Sequence, residues 1–315
     1  MIDFFDRTYS GIRDNNAVLS KLRVYSVMRV VTRVLANILL PVYFMLTRKD
    51  PQYRLSTTQK KEGRIIVSLT SFPARISRLW LVIETILRQT TKPDKIILWL
   101  SEEQYPSVEF VPSSLRAMQE RGLEIRICPG DIRSHKKYYY ILKEYPEDIL
   151  ITLDDDIFYN THLLSALLEK HRQYPEAIIA HYTHQMLFMA DGTLAPYRDW
   201  KRNVAPNDEL NSLFFGSGGG TLFPAHSMID MASNIDLAMS LTPKGDDIWL
   251  NAMARLKGSR VYHTNMYSEP LPVLNFGNKT LFSSNAEGGN NSQIRELQNY
   301  CEKNLKQNPF SPDIL

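Results

Sequence analysis

Leu150-Ile-Thr-Leu-Asp-Asp-Asp-Ile-Phe158 decides the fold. An apolar, β-type run ends abruptly in three adjacent carboxylates, Asp154, Asp155 and Asp156. A strand inside the core of a sheet cannot carry three unpaired negative charges, because desolvating each carboxylate is too costly. The acids therefore belong at the C-terminal end of the strand, where a parallel sheet opens into a ligand crevice. Asp154 and Asp156 stand at i and i+2, which points them the same way in extended backbone. A divalent cation with oxygen ligands, Mg2+ or Mn2+, would offset the repulsion and also hold the phosphates of a substrate. The alternative is an acidic surface turn or helix cap, with Asn160 and Thr161 as further cap residues.

The flanking segments alternate between strand and helix patterns. Residues 64–70 read as a β-branched strand ending in a Ser71-Phe72-Pro73 turn. Residues 76–90 carry a helical stripe of Leu79, Val82, Ile83, Ile86 and Leu87. Residues 95–100, 123–127 and 149–153 are further strands, and residues 138–145 form a short helix stopped by Pro146. Downstream, residues 163–174, 225–232, 246–256 and 292–304 read as helices, 177–181 and 261–264 as strands, and 200–211 as loop. This predicts an α/β fold, a mainly parallel sheet flanked by helices. The continuous apolar runs fit strands buried on both faces.

The chain has 315 residues, 43% of them hydrophobic, enough for a sizeable core. A net charge of +3 marks neither a nucleic-acid binder nor an acidic tail. Cys128 and Cys301 lie far apart without metal spacing and read as free thiols of a reducing compartment. Residues 1–62 are basic, with Arg23, Arg29, Arg33, Arg48, Lys49, Lys60 and Lys61. They contain an apolar run over residues 34–46, interrupted by Asn37 and Pro41, that reads as too short to cross a bilayer, which takes about 20 residues. It starts too late for a signal peptide, and no other segment reads as a span. With Leu22, Val24, Tyr25, Met28 and Val31 upstream, it fits a basic amphipathic helix lying on an anionic membrane surface, at the inner face of a plasma membrane. A helix packed on the domain or an oligomer contact are the other readings. Residues 56–63 read as a linker, dividing an N-terminal segment, 1–62, from a domain over 63–315.

Further groups could carry chemistry. Arg133-Ser-His-Lys-Lys137 is either a solvated basic loop or a diphosphate site, since lysine supplies a compact positive charge. Phe214-Phe-Gly-Ser-Gly-Gly-Gly-Thr-Leu-Phe-Pro224 has four glycines in five positions, suiting a flexible hairpin or a floor under a bound sugar. It lacks both the dinucleotide fingerprint and the P-loop lysine. In Lys244-Gly-Asp-Asp-Ile-Trp-Leu250, Asp246 and Asp247 open a helix. They are either N-terminal acids that stabilise any helix or a general base whose proton affinity its neighbour raises. His263 is structural or a metal ligand. Asn285-Ala-Glu-Gly-Gly-Asn-Asn-Ser-Gln293 is a surface turn or a loop that orders over substrate.

Taken together, these pieces resemble bacterial glycosyltransferases of the GT-A fold, in the family-two-like group. The matching stretches are Ile65-Ile-Val-Ser-Leu-Thr-Ser-Phe-Pro-Ala-Arg75, His135-Lys-Lys-Tyr138, Leu153-Asp-Asp-Asp-Ile157, the Gly216 to Gly220 run, Gly245-Asp-Asp-Ile-Trp249 and the Asn285 to Gln293 stretch, in that order. The resemblance implies a GT-A, Rossmann-like sheet, a nucleotide-diphosphate sugar donor, a saccharide or lipid-linked saccharide acceptor, and Mn2+ or Mg2+. It implies Thr70, Ser71, Arg75, Lys136, Lys137, Asp154 and Asp155 at the donor, and Asp156, Asp154 and His263 at the metal. It places Gly218, Gly219, Trp249 and Asn290 at the acceptor, and Asp247 as base beside Asp246 in an inverting transfer serving surface polysaccharide assembly. Asp246 stands where Glu is common, so the two acids could exchange roles. The rivals are a sugar-nucleotide nucleotidyltransferase and a non-catalytic sugar- or metal-binding module. A glycoside hydrolase needs carboxylates set apart across a sugar, which an adjacent triplet does not supply.

Overall fold

Apolar runs of β-branched residues and leucine form the centre of the molecule. The computed structural model describes residues 1–55, 63–205, 211–266, 268–274 and 289–312, so residues 56–62 of the expected linker and 285–288 of the 285–293 stretch lie outside the described residues, while 290–293 begin a helix. Three helices come first, α1 (Ile2–Gly11), α2 (Ala17–Lys21) and α3 (Val24–Thr47). Then follow β1 (Ile65–Thr70), α4 (Leu79–Leu87), β2 (Lys95–Ser101), α5 (Ser113–Arg116), β3 (Leu123–Cys128), α6 (Lys136–Glu144), β4 (Ile149–Leu153) and β5 (Ile157–Phe158). The rest comprises α7 (Leu163–Gln173), β6 (Ile178–Ala180), β7 (Thr183–Gln185), β8 (Leu213–Phe215), β9 (Gly219–Phe223), α8 (Ile235–Leu241), α9 (Asp246–Lys257), β10 (Val261–His263), β11 (Leu271–Pro272) and a closing helix, α10 (Asn290–Leu305).

Seven strands form one sheet in the order β10-β6-β9-β4-β1-β2-β3. Every pair is parallel except those made by β9, which runs antiparallel between β4 and β6. Side chains alternate across the sheet with period two. Val67 and Leu69 of β1 pack with α4, α7 and the N-terminal Phe5, Leu40 and Phe44. Ile66 packs on the other face with Tyr138 of α6, Trp249 of α9 and Leu297 of α10. This is the expected α/β architecture, a mainly parallel, Rossmann-like sheet between helical layers.

Two expectations need correction. Residues 225–232 are not a helix, because Pro224 and the left-handed backbone of His226 (φ 57°) leave only a 3-10 turn, Asp230–Ser233. The apolar N-terminal run is not a short, interrupted one. α3 continues through Asn37 and Pro41 for 24 residues, long and apolar enough to cross a membrane by length and composition. The Asn37 amide is satisfied within the protein: Nδ2 donates to Pro272 O (2.9 Å) and Oδ1 accepts from Leu274 N–H (2.8 Å).

A buried charge cluster fixes the end of α3. Glu84 of α4, 2% exposed at its side chain, pairs with both Arg88 and Arg121. Arg88 Nη2 also donates to Thr47 Oγ1 (2.7 Å), and its guanidinium lies 4.1 Å from the Tyr53 ring centroid. Removing one partner of a buried pair strands the other charge. Glu84→Gln is therefore expected to cost about 3–5 kcal/mol in urea unfolding. A cost under about 1 kcal/mol would contradict the pairing.

Candidate active site

β4 delivers the triplet to the open end of the sheet, and neighbouring loops then sort the three acids. Asp155 turns inward and is 6% exposed. It accepts from Ser71 Oγ (2.5 Å) and Arg75 Nη1 (2.8 Å), both on the loop after β1. Burial raises its proton affinity, against the opposing pull of Arg75 and Ser71. Asp154 and Asp156 remain facing a cleft of about 730 Å³. The same Arg75 nitrogen lies 2.9 Å from Asp156 Oδ2. Burial first, then the Asp154 charge, pushes Asp156 up to about 7.

Lys137 joins the two acid groups. Its side chain is 4% exposed, and Nζ reaches Asp154 Oδ1 at 2.9 Å, Asp246 Oδ2 at 3.0 Å and Ser217 Oγ at 3.1 Å. The lysine is placed by α6, whose start is anchored where Ser68 Oγ of β1 donates to Lys137 O (2.6 Å). A second anchor is His135, which bonds Tyr138 Oη and Thr242 O, each at 2.8 Å. Burial alone would make Lys137 shed its proton, but Asp154, Asp246 and Asp247 hold it charged, well above the usual lysine range.

Ser217, in the glycine run, is the second hub. Its Oγ donates to Asp246 Oδ2 (2.6 Å) and its N–H to Asp247 Oδ1 (2.7 Å). The glycines beside it answer a need for space rather than flexibility. A Cβ on Gly218 would lie 1.8 Å from Asp154 Oδ2, and one on Gly219 would lie 2.3 Å from Tyr182 Cβ.

The two acids that open α9 have opposite proton affinities. Burial disfavours the charge on Asp246, but the Lys137 ammonium beside it holds its carboxyl down at about 2. For Asp247, burial and the Asp246 charge outweigh the pull of Lys137 and push it up to about 7. One is a fixed anion and the other a carboxylate poised to take up a proton near neutrality. Paired groups whose surroundings separate their proton affinities in this way mark acid–base chemistry.

Most of the expected site converges. Thr70, Ser71, Arg75, Lys136, Lys137, Asp154, Asp155, Asp156, Gly218, Gly219, Asp246, Asp247 and Asn290 all line the one cleft. Lys136 is already paired with Asp131. Two residues do not converge. Trp249 is a core residue, 0% exposed, whose indole N–H donates to Ala232 O (3.0 Å), so no acceptor reaches it. His263 lies on edge strand β10 and is 3% exposed. Its Nε2 bonds His181 O and its Nδ1 accepts from Asn265 N–H, each at 2.9 Å, and burial lowers it to about 4. Both ring nitrogens serve the backbone, which leaves no lone pair for a metal. The sequence reading missed Ser217 and a wall formed by Tyr182, His184, Tyr197 and Arg202. The one signal for Ser217 was a polar residue set among glycines.

Among the described residues, no group of three His, Cys, Asp or Glu side chains could hold a metal unaided. Asp154 and Asp156 nonetheless fit Mg2+ or Mn2+, which commonly take one or two carboxylates and complete their shells with water and substrate phosphates. In direct ion pairs four carboxylates, Asp154, Asp155, Asp156 and Asp246, share two cations, Arg75 and Lys137.

No protein-family model matches the chain, and no curated protein matches it. Among solved structures it is similar to a mannosyltransferase from Pyrobaculum calidifontis in complex with GDP-Man and Mn2+, at 11% identity over 90% of this chain and 78% of that one, with a TM-score of 0.46. It is also similar to a 4-diphosphocytidyl-2C-methyl-D-erythritol synthase from Anaerococcus prevotii, at 15% identity, 73% and 95% coverage and a TM-score of 0.43. A third is a CMP:2-keto-3-deoxy-manno-octonic acid synthetase complexed with CTP, at 12% identity, 64% and 89% coverage and a TM-score of 0.35.

Proposed function

We propose that this chain is a family-two-like glycosyltransferase that moves a sugar from a nucleotide-diphosphate donor to a hydroxyl of a saccharide acceptor. One observation carries the reading: two acid groups share a buried lysine, and of the two acids that open α9 only Asp247 has its proton affinity raised to about neutrality. Donor binding falls to Thr70, Ser71, Arg75, Lys137 and Asp154, with Asp155 as the buttress that aims Arg75. A divalent cation held by Asp154 and Asp156 would neutralise charge on the diphosphate. Asp247 takes the proton of the acceptor hydroxyl. The hydroxyl oxygen bonds to the anomeric carbon as that carbon's bond to the diphosphate breaks, and the diphosphate leaves with the electron pair. Attack opposite the leaving group inverts the centre. Asp246 stays ionised and, through Ser217, helps hold Asp247 in place.

A nucleotidyltransferase usually carries a basic, glycine-rich loop after its first strand, whereas the loop after β1 is Ser71-Phe-Pro-Ala-Arg75. A panel of nucleotide-diphosphate sugars, read by thermal shift and product mass, tests the proposal. With Mn2+ present, a saturating donor at 100 times its Kd is expected to add about 2.7 kcal/mol of stability, and chelator is expected to abolish most of it. Release of inorganic pyrophosphate from a nucleoside triphosphate and a sugar phosphate, with no stabilisation by any diphosphate sugar, would establish the nucleotidyltransferase instead.

A further inference from the structure

We propose that α3, together with α2, lies in the plane of an anionic lipid surface, with its outward face embedded and the domain held against the headgroups. The helix is inside out for a water-facing element. Towards the domain it buries Thr32 and Asn37 beside Ala36, Leu40 and Phe44. Away from the domain, every exposed residue between Val27 and Leu46 is Val, Leu, Ile or Met. Val27, Val31, Ile38, Leu39, Val42 and Leu46 are between 44% and 80% exposed. A soluble protein rarely shows so long an apolar strip to water. Over 24 residues the strip runs for about 36 Å.

Charge identifies the occupant. Between Asn15 and Lys49 there are six basic residues and no acidic one. Lys21 and Arg23 at one end and Arg48 and Lys49 at the other are exposed, so the apolar strip is framed by cations. Hydrocarbon under the strip and anionic headgroups at its ends match this arrangement. A second protein surface fits less well, because the exposed strip offers no aromatic or arginine anchor and no polar rim along its length.

The buried face decides between lying flat and crossing. Leu40 and Phe44 are fully buried in the core, and the Asn37 amide bonds the backbone at Pro272 and Leu274. Crossing the bilayer would strip this face from the domain and leave the amide of Asn37 in hydrocarbon. The flat orientation keeps every one of these contacts. It also sets the lipid surface close to the cleft. The segment held by Asn37 donates Val273 N–H to Asp156 O (2.8 Å), and Pro270 lines the cleft.

The proposal stands apart from the transferase reading, and flotation of the full chain with vesicles tests it alone. The chain is expected to float with vesicles of phosphatidylcholine mixed with phosphatidylglycerol, and more weakly with phosphatidylcholine alone. Alkaline carbonate is expected to release it. Ile38→Glu with Leu46→Glu, both at exposed positions, is expected to keep the thermal midpoint and to weaken vesicle binding about a hundredfold or more. Equal flotation of the double variant would overturn the proposal. So would a wild type that ignores both vesicles and forms a dimer broken by the double variant, since a second copy would then cover the strip. Retention through carbonate would overturn the flat orientation in favour of a spanning helix.

Discussion

Replacing Asp247 with asparagine is expected to lower the rate of sugar transfer by about 10²–10⁴-fold while raising the thermal midpoint at pH 8. The two effects share a cause. Burial and the Asp246 charge raise the native carboxyl's pKa to about 7, from the ordinary aspartate value of 3.8. The native state therefore holds the proton more tightly than the unfolded chain does. Stability falls as pH rises from about 4 through about 7, and above that the full cost of the charge is present. Asparagine removes the cost and keeps an oxygen to accept from Ser217 N–H. The gain is expected to be about 2 kcal/mol at pH 8, after allowing for the carboxylate's partial exposure, and to vanish near pH 4. The wild-type rate, in turn, is expected to climb with pH through about 7 as the base ionises. Near-normal transfer by the variant would remove Asp247 from the base role. An unchanged midpoint at both pH values would show that its charge is not strained.

Replacing Lys137 with methionine is expected to be the most damaging single change in the cleft. The ammonium is almost wholly buried, with Asp154 Oδ1 and Asp246 Oδ2 both within 3.0 Å. Methionine fills much the same volume, so the loss is one of charge rather than packing. Leaving a buried carboxylate such as Asp246 without its partner typically costs about 3–5 kcal/mol, while Asp154, open to the cleft, adds little. The sign with pH follows from Asp246, which is held down at about 2. That contribution is present above about pH 4 and is lost as pH falls through about 2. The deficit should therefore be greatest at neutral and alkaline pH, and should shrink in acid where the unpaired carboxylates take up protons. Adding Asp246→Asn to the variant should return part of the loss, with a coupling of about 0.5–3 kcal/mol in urea unfolding. Strict additivity of the two changes would show that the lysine does not bridge the two acid groups.

The sequence made the acid-bearing strand legible because physical cost forces it: an apolar run cannot end in Asp154, Asp155 and Asp156 anywhere but at an opening. The alternation around it was equally legible, since β1, β2 and β4 are continuous apolar runs and β3 alternates Leu123, Ile125 and Ile127 with Glu124 and Arg126. β9 was hidden, because glycine density in the run leading to Phe223 suggested a flexible hairpin or a floor under a sugar. In the fold those glycines make room for Asp154 and Tyr182, and the strand fills the sheet between β4 and β6. Trp249 was misplaced by neglect of helical rotation. Residues two apart differ by about 200° around a helix, so Asp247 in the cleft puts Trp249 into the core. His263 was misplaced by distance. In the strand order β10-β6-β9-β4, three inter-strand spacings of about 4.8 Å put it roughly 14 Å from the acids. For α3, the interruptions at Asn37 and Pro41 hid a single helix, because the partner of Asn37 lies more than two hundred residues away, at Pro272 and Leu274.

The most direct measurement is crystallographic. Crystals of the chain grown with Mn2+ and a nucleotide-diphosphate sugar should show the anomalous signal of manganese between Asp154 and Asp156, with the diphosphate on the metal and the anomeric carbon facing Asp247. Manganese and nucleotide bound outside this cleft, with both aspartates bare, would contradict the account at its root.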